Sequence, residues 1–306
     1  MSIGMMEARG VMTKYFILHP AVFKLDGGAM FGIIPKPLWS KLIPADELNR
    51  IQLSLRVMLI QTKNRNILID TGIGDYHGEK FDDRFGVIGQ KGPLENILKK
   101  NFNLDPENIT DLIISHLHFD HVGGLGHTRP EHNNVFPDAT LHIHRQHYDY
   151  ALSPTLRDAG SFHSHYFRPI IEKAIHDGKI NWLQGEEGLI LADNGEEIKF
   201  KCSHGHTPWL VHAYDKHFIY MADLVPTSAH ISVPWVMGYD ISPGITTKNK
   251  LEFYEFISKH QLTMVFEHDI KYWGAKIRKK SEFEYEAEEL FSPPALDPEK
   301  SEIIFQ

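Results

Sequence analysis

Apolar and polar residues first alternate in the manner of a strand at residues 14–25, KYFILHPAVFKL, with a break expected at Pro20, which has no amide to give to a ladder. Residues 51–60, IQLSLRVMLI, and 66–69, NILI, are two further apolar runs around Thr62-Lys63-Asn64-Arg65, the pattern of a hairpin. In 93–102, PLENILKKNF, Pro93 opens a helix with Leu94, Ile97 and Leu98 on one face. The apolar run at 112–114 reads as a short buried strand, 139–144 as another, and 145–152 as a helix. A second helix is expected over 166–177, with Phe167, Ile170, Ile171, Ala174 and Ile175 inward, while 127–138 and 153–165 are irregular. From residue 179 the strand pattern returns in KINWL, GLILA, EIKFKCSH, WLVHAYD and HFIYMA. A long loop over 223–247, a helix over 248–261 and a final strand over 262–266 complete it.

Strands and helices intermingle, which places the chain in a mixed α/β (α+β) class. No repeat, low-complexity stretch or linker divides it, so a single domain is expected over 14–292, with tails at 1–13 and 293–306. The stretch 25–47, LDGGAMFGIIPKPLWSKLIPADE, is Gly- and Pro-rich yet holds Met30, Phe31, Ile33, Ile34 and Trp39. A loop that apolar either folds under the body or forms one wall of a pocket.

At 306 residues, 42% hydrophobic and 24% charged, the chain has the composition of an ordinary globular enzyme. A net charge of −8 gives no reason to expect a nucleic-acid or anionic-membrane partner, and Lys276-Ile277-Arg278-Lys279-Lys280 reads as a solvated face. Cys202 stands alone, so no internal disulfide forms and no Cys2His2-type zinc site is available; it is expected to be a small strand residue. The first residues lack the apolar core of a signal peptide and no run approaches a membrane span, which makes the cytoplasm the expected location.

Chemistry concentrates at residues 112–126, LIISHLHFDHVGGLG. His116, His118, Asp120 and His121 follow the apolar run at once, and Gly123-Gly124 lets the backbone turn tightly after them. Imidazole and carboxylate are ligands that borderline divalent metals prefer. His116 and His118 can face one ion while Asp120 and His121 face another. With 20 histidines in the chain a lone HxH would mean little, but the complete pattern is a dinuclear hydrolase signal. Three partners wait at other strand ends: His206 in SHGHTP, Asp223 in YMADLVPT and His268 in VFEHD. Asp223 is the carboxylate that could bridge two ions. Asp70, in the DTGIG turn, is an acid presented at a strand end. His142, His144, His147, His163 and His165 fit no tight cluster and are expected at the surface or in packing.

HxHxDH followed by a His, an Asp and a His resembles the metallo-β-lactamase-fold hydrolases over roughly residues 14–275, the Asp70-Thr71-Gly72 turn included. The resemblance implies an αββα sandwich: two mixed sheets flanked by helices, with the metals at the sheet edge. It implies two divalent ions, zinc first and Fe, Mn or Co as alternatives. His116, His118 and His206 would hold one, Asp120, His121 and His268 the other, and Asp223 would bridge. DGGAMFGIIPKPLWS, LIDTGIGDYHGEKF and ADLVPTSAH…PWVMGYD are similar to the quorum-quenching lactonase branch, which opens N-acyl homoserine lactones. Two departures stand out: Pro226 where many such lactonases carry a tyrosine, and Trp209 for the last glycine of GHTPG. Flavodiiron-type sites place Glu at the His118 position, common zinc β-lactamases do not bridge with an Asp at 223, and nuclease members need inserted domains and a basic surface.

The resemblance implies attack of a metal-bridging hydroxide on a lactone carbonyl, Asp120 protonating the leaving oxygen and Asp70 orienting a ligand histidine. Met30, Phe31, Trp39, Trp235 and Trp273 are candidates for an apolar wall that accepts the acyl chain of a small substrate, and His230 for an oxyanion donor in place of the tyrosine. A phosphotriesterase or thioesterase on the same metals and a mononuclear iron dioxygenase of the same fold are the alternatives. A homodimer is expected by resemblance.

Overall fold

The computed structural model describes residues 13–89, 93–126, 134–292 and 302–305. The opening alternation forms β1 (Lys14–Asp26), antiparallel to β2 (Arg50–Gln61) along nearly its whole length. Pro20 does not end the strand as expected. Leu18 pairs Val57 and Ala21 pairs Leu55, so His19 and Pro20 share one partner position in a bulge that spares the missing amide. β3 (Asn66–Ile69) closes the anticipated hairpin, and β4 (Ile88–Gly89) adds two residues beside β1. Parallel strands β5 (Asp111–Ile113), β6 (Thr140–His144) and β7 (Ile180–Leu183) extend the sheet from β3.

The second sheet takes β8 (Glu187–Asp193), β9 (Glu196–Ser203), β10 (Leu210–Tyr214), β11 (Phe218–Tyr220), β12 (Thr263–Val265), β13 (Gly274–Lys279) and β14 (Tyr285–Phe291). Neighbours run in chain order, all antiparallel except β11 with β12. The strand expected to be last, β12, is therefore followed by two more in this sheet. GAKIRK alternates only over Ala275–Arg278, and in YEAEELF Tyr285 alone is buried among glutamates, so neither run shows a clear apolar face. β15 (Glu302–Phe305) returns to pair with β1, so these four residues are not the free tail expected of 293–306. The expected tail over 1–12, the rest of the C-terminal segment and loop positions 127–133 lie outside the described residues.

Eight α-helices are described: α1 (Gly27–Phe31), α2 (Lys36–Trp39), α3 (Glu79–Phe85), α4 (Pro93–Phe102), α5 (Phe119–Val122), α6 (Arg145–Leu152), α7 (Ser164–His176) and α8 (Pro243–His260). The sequence pattern misses α1, α2 and α5, which are too short to show a helical period, and α3, a charged helix with no buried residue, and it starts α8 five residues late, because PGITT shows no apolar stripe. Leu98 of α4, Ala151 of α6 and Ile170 and Ile171 of α7 cover one face of the first sheet against Leu59, Leu112 and Leu141. Phe253, Tyr254 and Ile257 of α8 cover the outer face of the second sheet. Between the sheets Tyr15, Ile17, Met58 and Ile113 meet Phe200, Val211, Phe218 and Val265. Two mixed sheets face to face with helices outside give the αββα arrangement. Among the described residues no helix is long and apolar enough to cross a membrane.

One seam joins the sheets at the site's end. β3 pairs β2 only from Met58 to Gln61. Along the same edge the amide of Arg56 donates to Glu267 O at 3.2 Å and that of Ser54 to His268 O at 3.0 Å, so the chain beyond β12 takes over where β3 stops.

Buried neutral histidines brace this core. His212 Nδ1–H donates to Tyr220 O at 3.0 Å, which leaves Nε2 to accept from Ser203 Oγ at 2.8 Å. Burial pushes the His212 pKa down to about 3. The unfolded chain binds a proton near pH 6.5 that the folded one refuses, so stability falls as pH drops from 6.5. We expect this residue to cost about 2 kcal/mol by pH 5. Urea unfolding at pH 7 and pH 5 should show that much extra acid sensitivity in wild type over His212→Phe; equal sensitivity would contradict the assignment.

Candidate metal centre

Every candidate ligand leaves the end of a strand. β5 stops at Ile113; His116 and His118 follow in the loop, and Asp120 and His121 in the first turn of α5. His206 comes after β9, Asp223 after β11 and His268 after β12. The ligand loop is gripped by the DTGIG turn. Thr71 N and Oγ1 donate to His121 O at 2.8 and 3.1 Å, and Gly124 N donates to Gly72 O. The two loops press so closely that a Cβ on Gly123 would stand 2.0 Å from Ile73 O, so only glycine fits there.

The seven side chains converge in two groups, His116–His118–His206–Asp223 and Asp120–His121–His268, all buried. In the first, His118 Nδ1 lies 3.1 Å from His116 Nε2 and 3.2 Å from His206 Nε2, which is 3.1 Å from Asp223 Oδ2. In the second, His268 Nε2 is 3.6 Å and His121 Nε2 3.8 Å from Asp120 Oδ2. Asp223 Oδ1 reaches this group too, 3.0 Å from His268 Nε2 and 3.7 Å from His121 Nε2. One carboxylate therefore faces both groups.

Do these residues fit metal ions? Ligand atoms about 2.0–2.1 Å from a tetrahedral centre stand about 3.3 Å from one another, which is the spacing found here. His121 Nε2 and Asp223 Oδ1 are buried without a hydrogen-bond partner. The tautomers agree. His116 Nδ1 is 3.0 Å from Ser115 Oγ, which itself donates to Asp70; His121 Nδ1 is 3.0 Å from Asp70 Oδ2, His206 Nδ1 2.9 Å from Asp240 Oδ1 and His268 Nδ1 2.8 Å from Ser54 O. With those protons on the rear nitrogens, four Nε2 lone pairs face inward. Burial, with His121 and His118 nearby, holds His116 well below the usual imidazole range. For His206 burial acts downward too, but Asp223 and Asp240 outweigh it and lift the pKa to about 10; a divalent cation would replace that proton. The donor set fits.

Asp70 also accepts from Ser115 N at 2.7 Å, tying the β3 end to the ligand loop. Sequence reasoning missed three supports. Asp240, which also accepts from Thr246 Oγ1 at 2.8 Å, holds His206. Glu267 Oε2 lies 2.9 Å from His121 Nδ1. His147, read as a packing histidine, accepts from Leu117 N and donates to Pro208 O, both at 2.8 Å, so it struts the His116–His118 loop against the His206 loop. Only adjacency marked any of these in the sequence: Glu267 touches His268 in VFEHD.

The expected apolar wall is mostly core. Met30, Phe31 and Trp39 are buried, and Phe31 stacks between Trp39 and His230. His230 is spoken for at both nitrogens, by Thr227 Oγ1 at 2.7 Å and Met30 O at 2.8 Å, so it has none left for an oxyanion. Trp273 lies between the sheets, stacked on Phe291. Trp235 is half-buried, edge-on to Phe31. A hydrophobic residue reads alike whether it faces core or cleft, which is why the sequence misplaces these. Phe162 stands against the His118 ring at 4.5 Å, and Phe119 stacks on His163, whose Nδ1 is 2.7 Å from Tyr76 Oη.

Residues 55–268 match the Metallo-beta-lactamase superfamily, and the chain belongs to it. It is a metal-dependent hydrolase of that fold. It is 27% identical over 216 residues to the N-acyl homoserine lactonase AttM of Agrobacterium fabrum, covering 69% of this chain and 74% of that protein. A "probable metal-dependent hydrolase" from Staphylococcus aureus superposes with a TM-score of 0.79 at 27% identity, over 92% of this chain and 98% of that one. AidC, described as a dizinc quorum-quenching lactonase, shares the fold at a TM-score of 0.69 and 21% identity, over 90% and 93% of the two chains.

We expect His147→Phe, which keeps an aromatic ring and deletes both bonds, to weaken metal retention about tenfold or more, the usual cost of losing a ligand's support. Competition with a chromophoric chelator measures it, with circular dichroism as the check on folding. Retention equal to wild type would show that the two loops hold themselves.

Proposed function

We propose that this hydrolase opens N-acyl homoserine lactones at a pair of divalent cations. The observation that carries the two-cation reading is Asp223, whose two oxygens face the two donor groups. The substrate class is supported by lactonase relatives at 25–27% identity over about 70% of the chain. His116, His118 and His206 would hold one ion, Asp120, His121 and His268 the other, with Asp223 between them, and imidazole with carboxylate suits zinc. The second donor group favours this over a single-iron dioxygenase. We also read residues 14–292 as one domain.

Bound there, two cations supply Lewis acidity and hydroxide near neutral pH. The chain supplies the rest. Water adds across the ester: the acyl C–O bond breaks, the carbonyl carbon gains an oxygen, and the ring oxygen leaves as a hydroxyl that needs a proton. Asp120, 6% exposed and set between His121 and His268, is the carboxyl placed to hand it over. Phe162, packed against the His118 ring at 4.5 Å, would keep bulk water from the reacting ester.

Zinc-loaded protein should open acyl homoserine lactones, followed by pH-stat, faster than it cleaves paraoxon-type phosphotriesters, thioesters or β-lactams. Asp120→Asn should lower kcat/KM for the lactone by about 100-fold or more, as for a lost general acid. A higher kcat/KM on the phosphotriester would replace this reading.

A further inference from the structure

Beyond β12 one dipeptide reaches His121 from both ends. His268 stands with Asp223 and Asp120 on the Nε2 side, while Glu267 Oε2 lies 2.9 Å from Nδ1. Asp70 Oδ2 occupies the same Nδ1 at 3.0 Å, yet Asp70 is already served by Ser115 N at 2.7 Å and Ser115 Oγ at 2.6 Å. A single N–H cannot satisfy two carboxylates. Glu267 is fully buried, and its carboxylate faces the His121 ring and the Tyr220 hydroxyl, whose own hydrogen goes to Arg56 O at 3.0 Å. Arg56, equally buried, places Nη1 3.4 Å from the carbonyls of Phe266 and Glu267 and leaves Nε and Nη2 without partners. An incompletely paired buried carboxylate is costly, and the remaining histidine ligands show no such excess: His206 has Asp240 alone behind it, His116 has Ser115, His268 has a carbonyl and His118 Nε2 has no hydrogen-bond partner.

We propose that Glu267 is a positioning residue for the second cation site: with Asp70 it brackets the rear nitrogen of His121, aims Nε2 at Asp120 and Asp223, and so sets the affinity of the Asp120–His121–His268 group without affecting the His116–His118–His206 group. The inference rests on the two-cation reading. A carboxylate behind a ligand imidazole fixes its orientation and strengthens its donation, and loss of such a partner typically weakens metal binding 10–100-fold. A second carboxylate on the same nitrogen adds negative potential on that side alone.

Metal-stripped wild type and Glu267→Gln would be titrated with Co(II), read by visible absorption and by metal analysis after gel filtration. The expected result is two ions in wild type, and in the variant one ion with unchanged affinity and spectrum while the other binds at least tenfold more weakly. Two ions at wild-type affinity, or equal weakening of both, overturns the proposal. Should Glu267→Gln not fold by circular dichroism, Glu267→Asp, which withdraws the carboxylate by one methylene, takes its place with the same outcomes. Fewer than two ions in wild type would overturn the two-cation reading itself, and the inference with it, without any assay of catalysis.

Discussion

Seven ionisable donors are packed out of water within a few ångströms of one another, and the architecture is arranged around making that tolerable. His116 and His121 are fully buried and Asp223 is 7% exposed. Taken singly, each buried charge would cost several kcal/mol. Three imidazole nitrogens and a carboxylate oxygen lie 3.1–3.2 Å apart in the first group. Protons cannot sit between all of them, whereas divalent cations satisfy every inward lone pair at once. The buried His and Asp groups are consistent with a metal site typical of this fold.

That demand explains why the ligands come from strand ends on both sheets. A loop alone would let them spread, but each ligand follows a strand fixed by its ladder, and the seam between β2 and residues 267–268 joins the sheets just there. The rear nitrogens are tied to separate elements: His206 to Asp240, His268 to Ser54 on β2, and His121 to Asp70 after β3. Orientation is thus spread over the whole sandwich, and Phe162 adds an edge-on ring contact to His118.

This division decides what the sequence could reveal. HxHxDH is contiguous, and His206, Asp223 and His268 sit where an apolar run gives way to a loop, so the residues that converge were readable as a group from type and position. The sheets were legible where both faces or one clear face are apolar, as in β2 and β10, and not in β13 or β14, whose outward residues are charged. Asp240, Glu267 and His147 act through space, across 34, 146 and 30 residues respectively, and no local period encodes such a contact. Phe31 and His230 were misjudged for the opposite reason: an aromatic next to a pocket-like loop looks the same when it is sandwiched in the core.

The two departures from the lactonase pattern now have a physical meaning. Pro226 brings no side-chain donor, but its carbonyl accepts from His268 N at 3.0 Å, and two residues on Ser228 N and Oγ both donate to Asp269. This loop therefore holds the last ligand by its backbone, a role proline's fixed φ suits and a flexible tyrosine would not improve. Trp209 stands in the left-handed region, φ 61°, where the family pattern has glycine and a larger residue pays about 1–2 kcal/mol. Its indole stacks on His144 at 4.7 Å and 7°, an offsetting contact that pins the His206 loop to β6. Each of the two residues thus anchors a loop that carries a candidate ligand, Pro226 through its carbonyl to His268 and Trp209 through its ring to His144.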